Sequence, residues 1–148
     1  MLRRVLNTDH FATTILIRLM VGGVFLSEGI QKFLFPAELG AGRFAKIGLS
    51  DPEFLGTFVG SIEIVCGTFI LFGFLTRIAA FPVVIIMLAA IVFTKFGIFE
   101  KSGLWKMLHE SRTDWSMLLG SIFLLIRGGG KWIDRLLSVK HPGKDKID

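Results

Sequence analysis

The chain reads as an all-α integral membrane protein, an antiparallel four-helix bundle with both termini on the same, cytoplasmic side. Three observations predict this. Its 148 residues are 52% hydrophobic with a mean hydropathy of +0.65, whereas soluble domains are roughly 45–50% apolar. Charged residues make up 20% of the chain, and they gather at the ends and between long apolar stretches. Those stretches match the roughly 20 helical residues that a ~30 Å hydrocarbon core demands. The length allows one domain, 1–148. The composition excludes disorder, a coiled coil, collagen and a disulfide scaffold, the single cysteine being Cys66.

The predicted spans are about 12–35, 54–75, 78–99 and 114–132. The first three are continuous apolar runs. The fourth has a clean core only from Trp115 to Ile126 and must be extended through Gly128–Gly130 to Trp132. These two tryptophans are 17 residues apart, about 25 Å on a helix, which suits the two interfaces of one crossing. A water-soluble bundle is disfavoured because such segments leave too little polar face. No secretory signal is expected: the apolar stretch after Arg3 and Arg4 is too long and lacks a small-residue cleavage site.

Thr76 and Arg77 leave almost no loop between spans two and three, so those helices should be antiparallel neighbours. The connections at about 36–53 and 100–114 are longer and polar, and should emerge together opposite the termini. Nine Lys and Arg lie on the terminal side and seven on the loop side, so the positive-inside rule puts the termini in the cytoplasm. The basic residues read as topology signals and membrane-surface attraction rather than nucleic-acid binding. Residues 138–148 read as a mobile cytoplasmic tail.

Ionisable groups inside spans mark function by default, because a mid-membrane charge costs at least about 2.5–3.5 kcal/mol. Span one carries Arg18, Glu28 and Lys32, span two Glu63, and span three Lys95. Arg18, Gly22, Phe25, Gly29 and Lys32 fall within about 40° of one line on a helix. Gly56, Gly60, Glu63 and Gly67 repeat the device on span two. Small residues let membrane helices approach closely, so the two stripes are expected to face each other. Residue depth pairs Arg18 with Glu63 and Glu28 with Lys95, with Gln31, Lys32, His109 and Asp114 at the outer mouth. Plainer readings stand beside these. Lys32 and Lys95 can snorkel, Arg18 with Glu63 can be a packing strut, and His109 can be a loop histidine. Glu63, deep and flanked by glycines and Cys66, is hardest to dismiss.

Several chemistries are excluded. Haem held between helices needs imidazoles within the membrane, and His10, His109 and His141 lie outside the spans. Thiol–quinone exchange needs paired cysteines. Neither a metal cluster nor a nucleotide or hydrolase motif is present.

The run Arg18-x3-Gly22-x2-Phe25-x3-Gly29-x2-Lys32 resembles the first-helix signature of the DoxX family, and Glu63-x3-Gly67-x5-Gly73-x3-Arg77 resembles its second. Gly128–Asp134 is similar to the family's closing glycine-rich turn, with Ile133 departing from the usual serine–leucine–aspartate ending, and His109–Asp114 looks like a form found in one bacterial branch. The resemblance implies a bacterial cytoplasmic (inner) membrane protein of four helices. It ties function only loosely to thiosulfate:quinone oxidoreduction, to anchors of oxidant-defence complexes, or to assembly factors.

Three functions follow as expectations. The first is a membrane subunit of a redox complex that binds quinone between helices and takes electrons from a partner protein. The quinone tail would lie among Phe25, Phe58 and Phe69, with Cys66 nearby. Glu63 with Arg18, or Glu28 with Lys95, would handle quinone oxygens and protons. The second is a non-catalytic scaffold or assembly factor that docks a partner through its loops. The third is a small-molecule or ion carrier, disfavoured by the absence of an inverted repeat. Fifteen Phe and no Tyr leave the outer surface open to lipid or to a second copy in a homo-oligomer.

Overall fold

The computed structural model describes residues 13–130, and the fold of those residues is helical throughout, with no strand. The helices are α1 (Thr14–Leu34), α2 (Ala41–Lys46), α3 (Pro52–Phe72), α4 (Thr76–Glu110) and α5 (Arg112–Arg127). Three of them, α1, α3 and α4, are long and apolar enough to cross a membrane. The protein is therefore a membrane protein with several apolar helices.

Local chemistry sets the helix limits. Pro52 opens α3 at the position where a missing N–H costs nothing. Gly73 closes it with φ 69°, a left-handed conformation that glycine reaches without a Cβ penalty. The tight connection is Gly73–Leu75 rather than Thr76–Arg77, because Thr76 already belongs to α4. The predicted polar connection at 100–114 is mostly helical. α4 runs on past Phe99, breaks at Gly103 (φ 79°, ψ 176°), and resumes to Glu110. The helical run at the predicted fourth span starts at Arg112 and stops at Arg127, since Gly128 takes φ 80° and Gly130 φ 83°. Its 16 residues reach about 24 Å. The helix ends before the glycines of the expected span, and Trp132 and the 138–148 tail lie outside the described residues.

α1 packs most extensively against α3, and α4 against α5; α3 also contacts α4, and α5 contacts α1. The α1–α3 seam is made of glycines. A Cβ on Gly22 would lie 2.9 Å from the Gly67 carbonyl oxygen, and one on Gly29 would lie 2.8 Å from that of Gly60. Gly56 admits the backbone of α2 in the same way, at 2.7 Å from the Ala41 nitrogen. Seven residues separate each pair of glycines along both antiparallel helices, so the two contacts define one register. Hydroxyls in this apolar setting bond backward along their helices: Ser61, Thr68, Thr94 and Ser121 each donate to the carbonyl four residues earlier at 2.6–2.7 Å.

Candidate functional site

The α1–α3 register decides which charges meet. It sets Gly22 level with Gly67, and therefore Arg18 level with Leu71. That is eight residues, or about 12 Å, along α3 from Glu63. The expected Arg18–Glu63 pair does not form. Arg18, 3% exposed, instead donates to the carbonyls of Ile70 (2.9 Å), Leu71 (2.6 Å) and Gly129 (3.0 Å). The cation sits on the C-terminal carbonyls of α3, where helix geometry leaves acceptors unpaired and the macrodipole is negative. Gly73 makes room for it: a Cβ there would lie 2.5 Å from the guanidinium carbon. Arg77 plays a similar part at the end of α5, donating to the Ile126 carbonyl at 2.7 Å.

Glu63 pairs with Lys32 instead. Lys32 Nζ lies 2.6 Å from Glu63 Oε2, with both side chains nearly inaccessible. Glu28, one turn before Lys32 on α1, places Oε2 3.9 Å from the same ammonium and is 43% exposed. The expected Glu28–Lys95 pair is also absent. α4 lies against α3 and α5 rather than α1, so Lys95 bridges to Asp114 Oδ2 (3.0 Å) and donates to the Glu110 carbonyl (3.0 Å). This ties α4 to the start of α5.

Between the α1–α3 pair and α4 lies a cavity of about 490 Å³, within the ~300–1,000 Å³ range of small-molecule sites. Its walls are apolar, with Phe25, Phe58, Ile86, Phe93 and Met117 among them. Glu28, Lys32, Glu63, Arg43 and Asp114 supply its ionisable groups. Six of the residues singled out from sequence thus meet at one cavity: Glu63, Lys32, Glu28, Asp114, Phe25 and Phe58.

The others lie elsewhere. Arg18, Lys95, Gln31, His109 and Cys66 are not in its lining. Gln31 donates to Ser27 on the surface, and His109 Nε2 stands 2.8 Å from the Arg112 guanidinium at an exposed corner. Cys66 is a buried free thiol in the core. Phe69, expected beside a quinone tail, packs edge-on against Phe74 instead (centroids 5.1 Å apart).

Arg43 is the lining residue that sequence reasoning passed over. In sequence it is one of the seven basic residues on the loop side, yet Phe44, Ile47 and Leu49 beside it are apolar. Apolar residues in a nominally polar loop signal a segment that folds back onto the bundle, and all three line the cavity with it.

Comparison with known proteins agrees with this membrane architecture. The chain is 51% identical over 142 residues to the uncharacterized membrane protein Rv3486 of Mycobacterium tuberculosis, covering 91% of this chain and 87% of that one. It is 29% identical over 123 residues to CatD of Bacillus subtilis, which bears a provisional oxidoreductase name, covering 83% and 84% of the two chains. No solved structure matches it. The DoxX family profile matches residues 13–95, more than half of the chain, and the protein therefore belongs to the DoxX family.

Proposed function

We propose that this protein is a membrane subunit of a quinone-linked redox complex, binding the carrier in the cavity between α1, α3 and α4. The observation that carries the reading is the buried Lys32–Glu63 pair in the wall of an otherwise apolar chamber. A buried ion pair is a poor stabiliser compared with apolar packing, and intramembrane charge pairs mark sites of chemistry. The residues suit a quinone. Glu63 Oε2 lies 2.6 Å from Lys32 Nζ, and a carboxylate has further lone pairs that a hydroxyl could reach. Lys32 can donate to a carbonyl oxygen. These are the two oxygen states between which such a carrier alternates.

When bound, a quinone supplies two-electron, two-proton chemistry. The chain's own residues would orient it and manage protons. Phe25, Phe58 and Met117 exclude water and hold the apolar part, while Lys32 orients an oxygen and Glu63 holds a proton beside it. The provisional oxidoreductase name of CatD points the same way. The test is mass spectrometry of gently purified protein with lipid extraction. Stoichiometric ubiquinone or menaquinone, lost in Glu63→Gln, supports the reading. Its absence, with no effect of quinone analogues on thermal stability, refutes it.

The proposal includes topology. α5, packed on α4 and α1, completes a four-helix bundle in a bacterial inner membrane, with both termini cytoplasmic, a side the Lys and Arg distribution favours. Reporter fusions after Gly48 and at the C-terminus should report opposite sides. A scaffold reading is supported by one observation, the donation of Arg18 to helix-end carbonyls, which is an architectural use of a buried charge. A specific partner protein recovered by crosslinking without quinone would select it.

A further inference from the structure

We propose that Arg43, on the short helix α2, is the residue that recognises the oxygen-bearing head of the cavity's ligand, so that the site selects an apolar molecule ending in a carbonyl-type acceptor over a plain hydrocarbon. This deepens the quinone reading and rests on it. Lys32 is committed to Glu63 at 2.6 Å. Asp114 is committed to Lys95 at 3.0 Å. Arg43 is the other cation in the lining, and among the described residues no ion pair or hydrogen bond engages its guanidinium.

Its place is fixed by backbone packing. Gly56 on α3 admits the Ala41 backbone so closely that a Cβ there would lie 2.7 Å from the Ala41 nitrogen. This pins the first turn of α2, which carries Arg43, to α3. Phe44, Ile47 and Leu49 of the same segment close the wall beside it. The segment thus sets at the edge of an apolar chamber an exposed guanidinium with five N–H groups and no acceptor. A guanidinium in that position binds an oxygen acceptor and gains nothing from hydrocarbon.

The test uses two probes of similar apolar bulk, decylubiquinone and decylbenzene, bound to the full chain in nanodiscs. Arg43→Met keeps the stem and removes the donors. The inference expects decylubiquinone to bind about tenfold more weakly to R43M, the loss of one charge-assisted hydrogen bond. Decylbenzene binding and melting temperature should not change. Unchanged decylubiquinone affinity in R43M overturns the inference and leaves the quinone reading standing. Equal weakening of both probes also overturns it, since Arg43 would then only shape the wall. Failure of the wild-type protein to bind decylubiquinone refutes the quinone reading itself, and the inference falls with it.

Discussion

Replacing Gly67 by alanine should loosen the bundle at the α1–α3 seam, and Gly23 of α1 provides an internal control. A Cβ on Gly67 would lie 2.6 Å from the Leu26 nitrogen, 2.9 Å from the Gly22 carbonyl oxygen and 3.1 Å from the Leu26 Cα. All three atoms are backbone, so no side chain can swing aside, and α1 and α3 must separate by a sizeable fraction of an ångström. Overpacking of this kind costs about 1–3 kcal/mol. A Cβ on Gly23 meets nothing within 4 Å. Both substitutions gain the same helix propensity, about 1 kcal/mol for alanine over glycine. The difference between G67A and G23A therefore isolates the packing term, about 1–3 kcal/mol in favour of G23A. The lone buried thiol of Cys66 supplies the assay, because a thiol-reactive fluorophore labels it only as the bundle opens on heating. G23A should melt at or above the wild-type temperature and G67A several degrees below it. Equal melting temperatures for the two variants would refute the close α1–α3 approach from which the register, and hence the ion-pair assignments, are derived.

Other predictions follow from the same contacts. Arg18→Met should destabilise the protein by about 2–4 kcal/mol, as charge-assisted bonds to buried carbonyls are lost, while quinone affinity measured on the folded fraction stays at the wild-type value. Gly73→Ala should act in the same direction, since its Cβ meets the Arg18 guanidinium at 2.5–2.7 Å and its φ is 69°; thermal unfolding measures both. Asp114→Asn should cost only about 0.5–1 kcal/mol and less at high salt, because the Lys95–Asp114 bridge is partly solvated. Glu63→Leu alone should cost about 3–5 kcal/mol by stranding Lys32, and the double variant with Lys32→Met should recover much of that loss.

What could be read from the sequence was set by periodicity. The Gly22/Gly29 and Gly60/Gly67 spacings need only the 100° helical rotation to imply two facing stripes, and the contacts of those four residues follow directly. Glu63 and Lys32 could be singled out because a charge in an apolar run is costly wherever it lies. Their partnership could not. Matching charges by depth measured each helix from its own centre, but α1 and α3 are offset along their axes. The glycine contacts place Arg18 beside the α3 C-terminus and Lys32 within reach of Glu63. Helix offset is a tertiary quantity, set by backbone approach at glycines, and span lengths do not contain it. The failure at 100–114 has another cause. Lys101, Lys106 and Glu110 look like a polar loop, yet charged residues are good helix formers, and only Gly103 interrupts the helix. Arg43 was overlooked because a six-residue helix is too short for any periodicity to register.

Among the described residues, the two most buried cations, Arg18 and Lys32, are accommodated differently. Arg18 is surrounded by acceptors that the fold creates anyway, the unpaired carbonyls ending α3 and the Gly129 carbonyl. Its charge complements a helix dipole, and these carbonyls give it an architectural role. Lys32 stands in the last turn of α1 and Glu63 within α3, and each buried charge offsets the other. An apolar pair of similar volume would fill that space with no desolvation cost and equal or greater stability. The ion pair also forms the wall of the cavity instead of a closed seam between helices, which a purely architectural strut would not require. The double variant separates the two roles. If Lys32→Met with Glu63→Leu folds well and still binds decylubiquinone like the wild type, the pair is a strut and the redox reading loses its main support. If it folds well and no longer binds, the charges are retained for the ligand rather than for the fold.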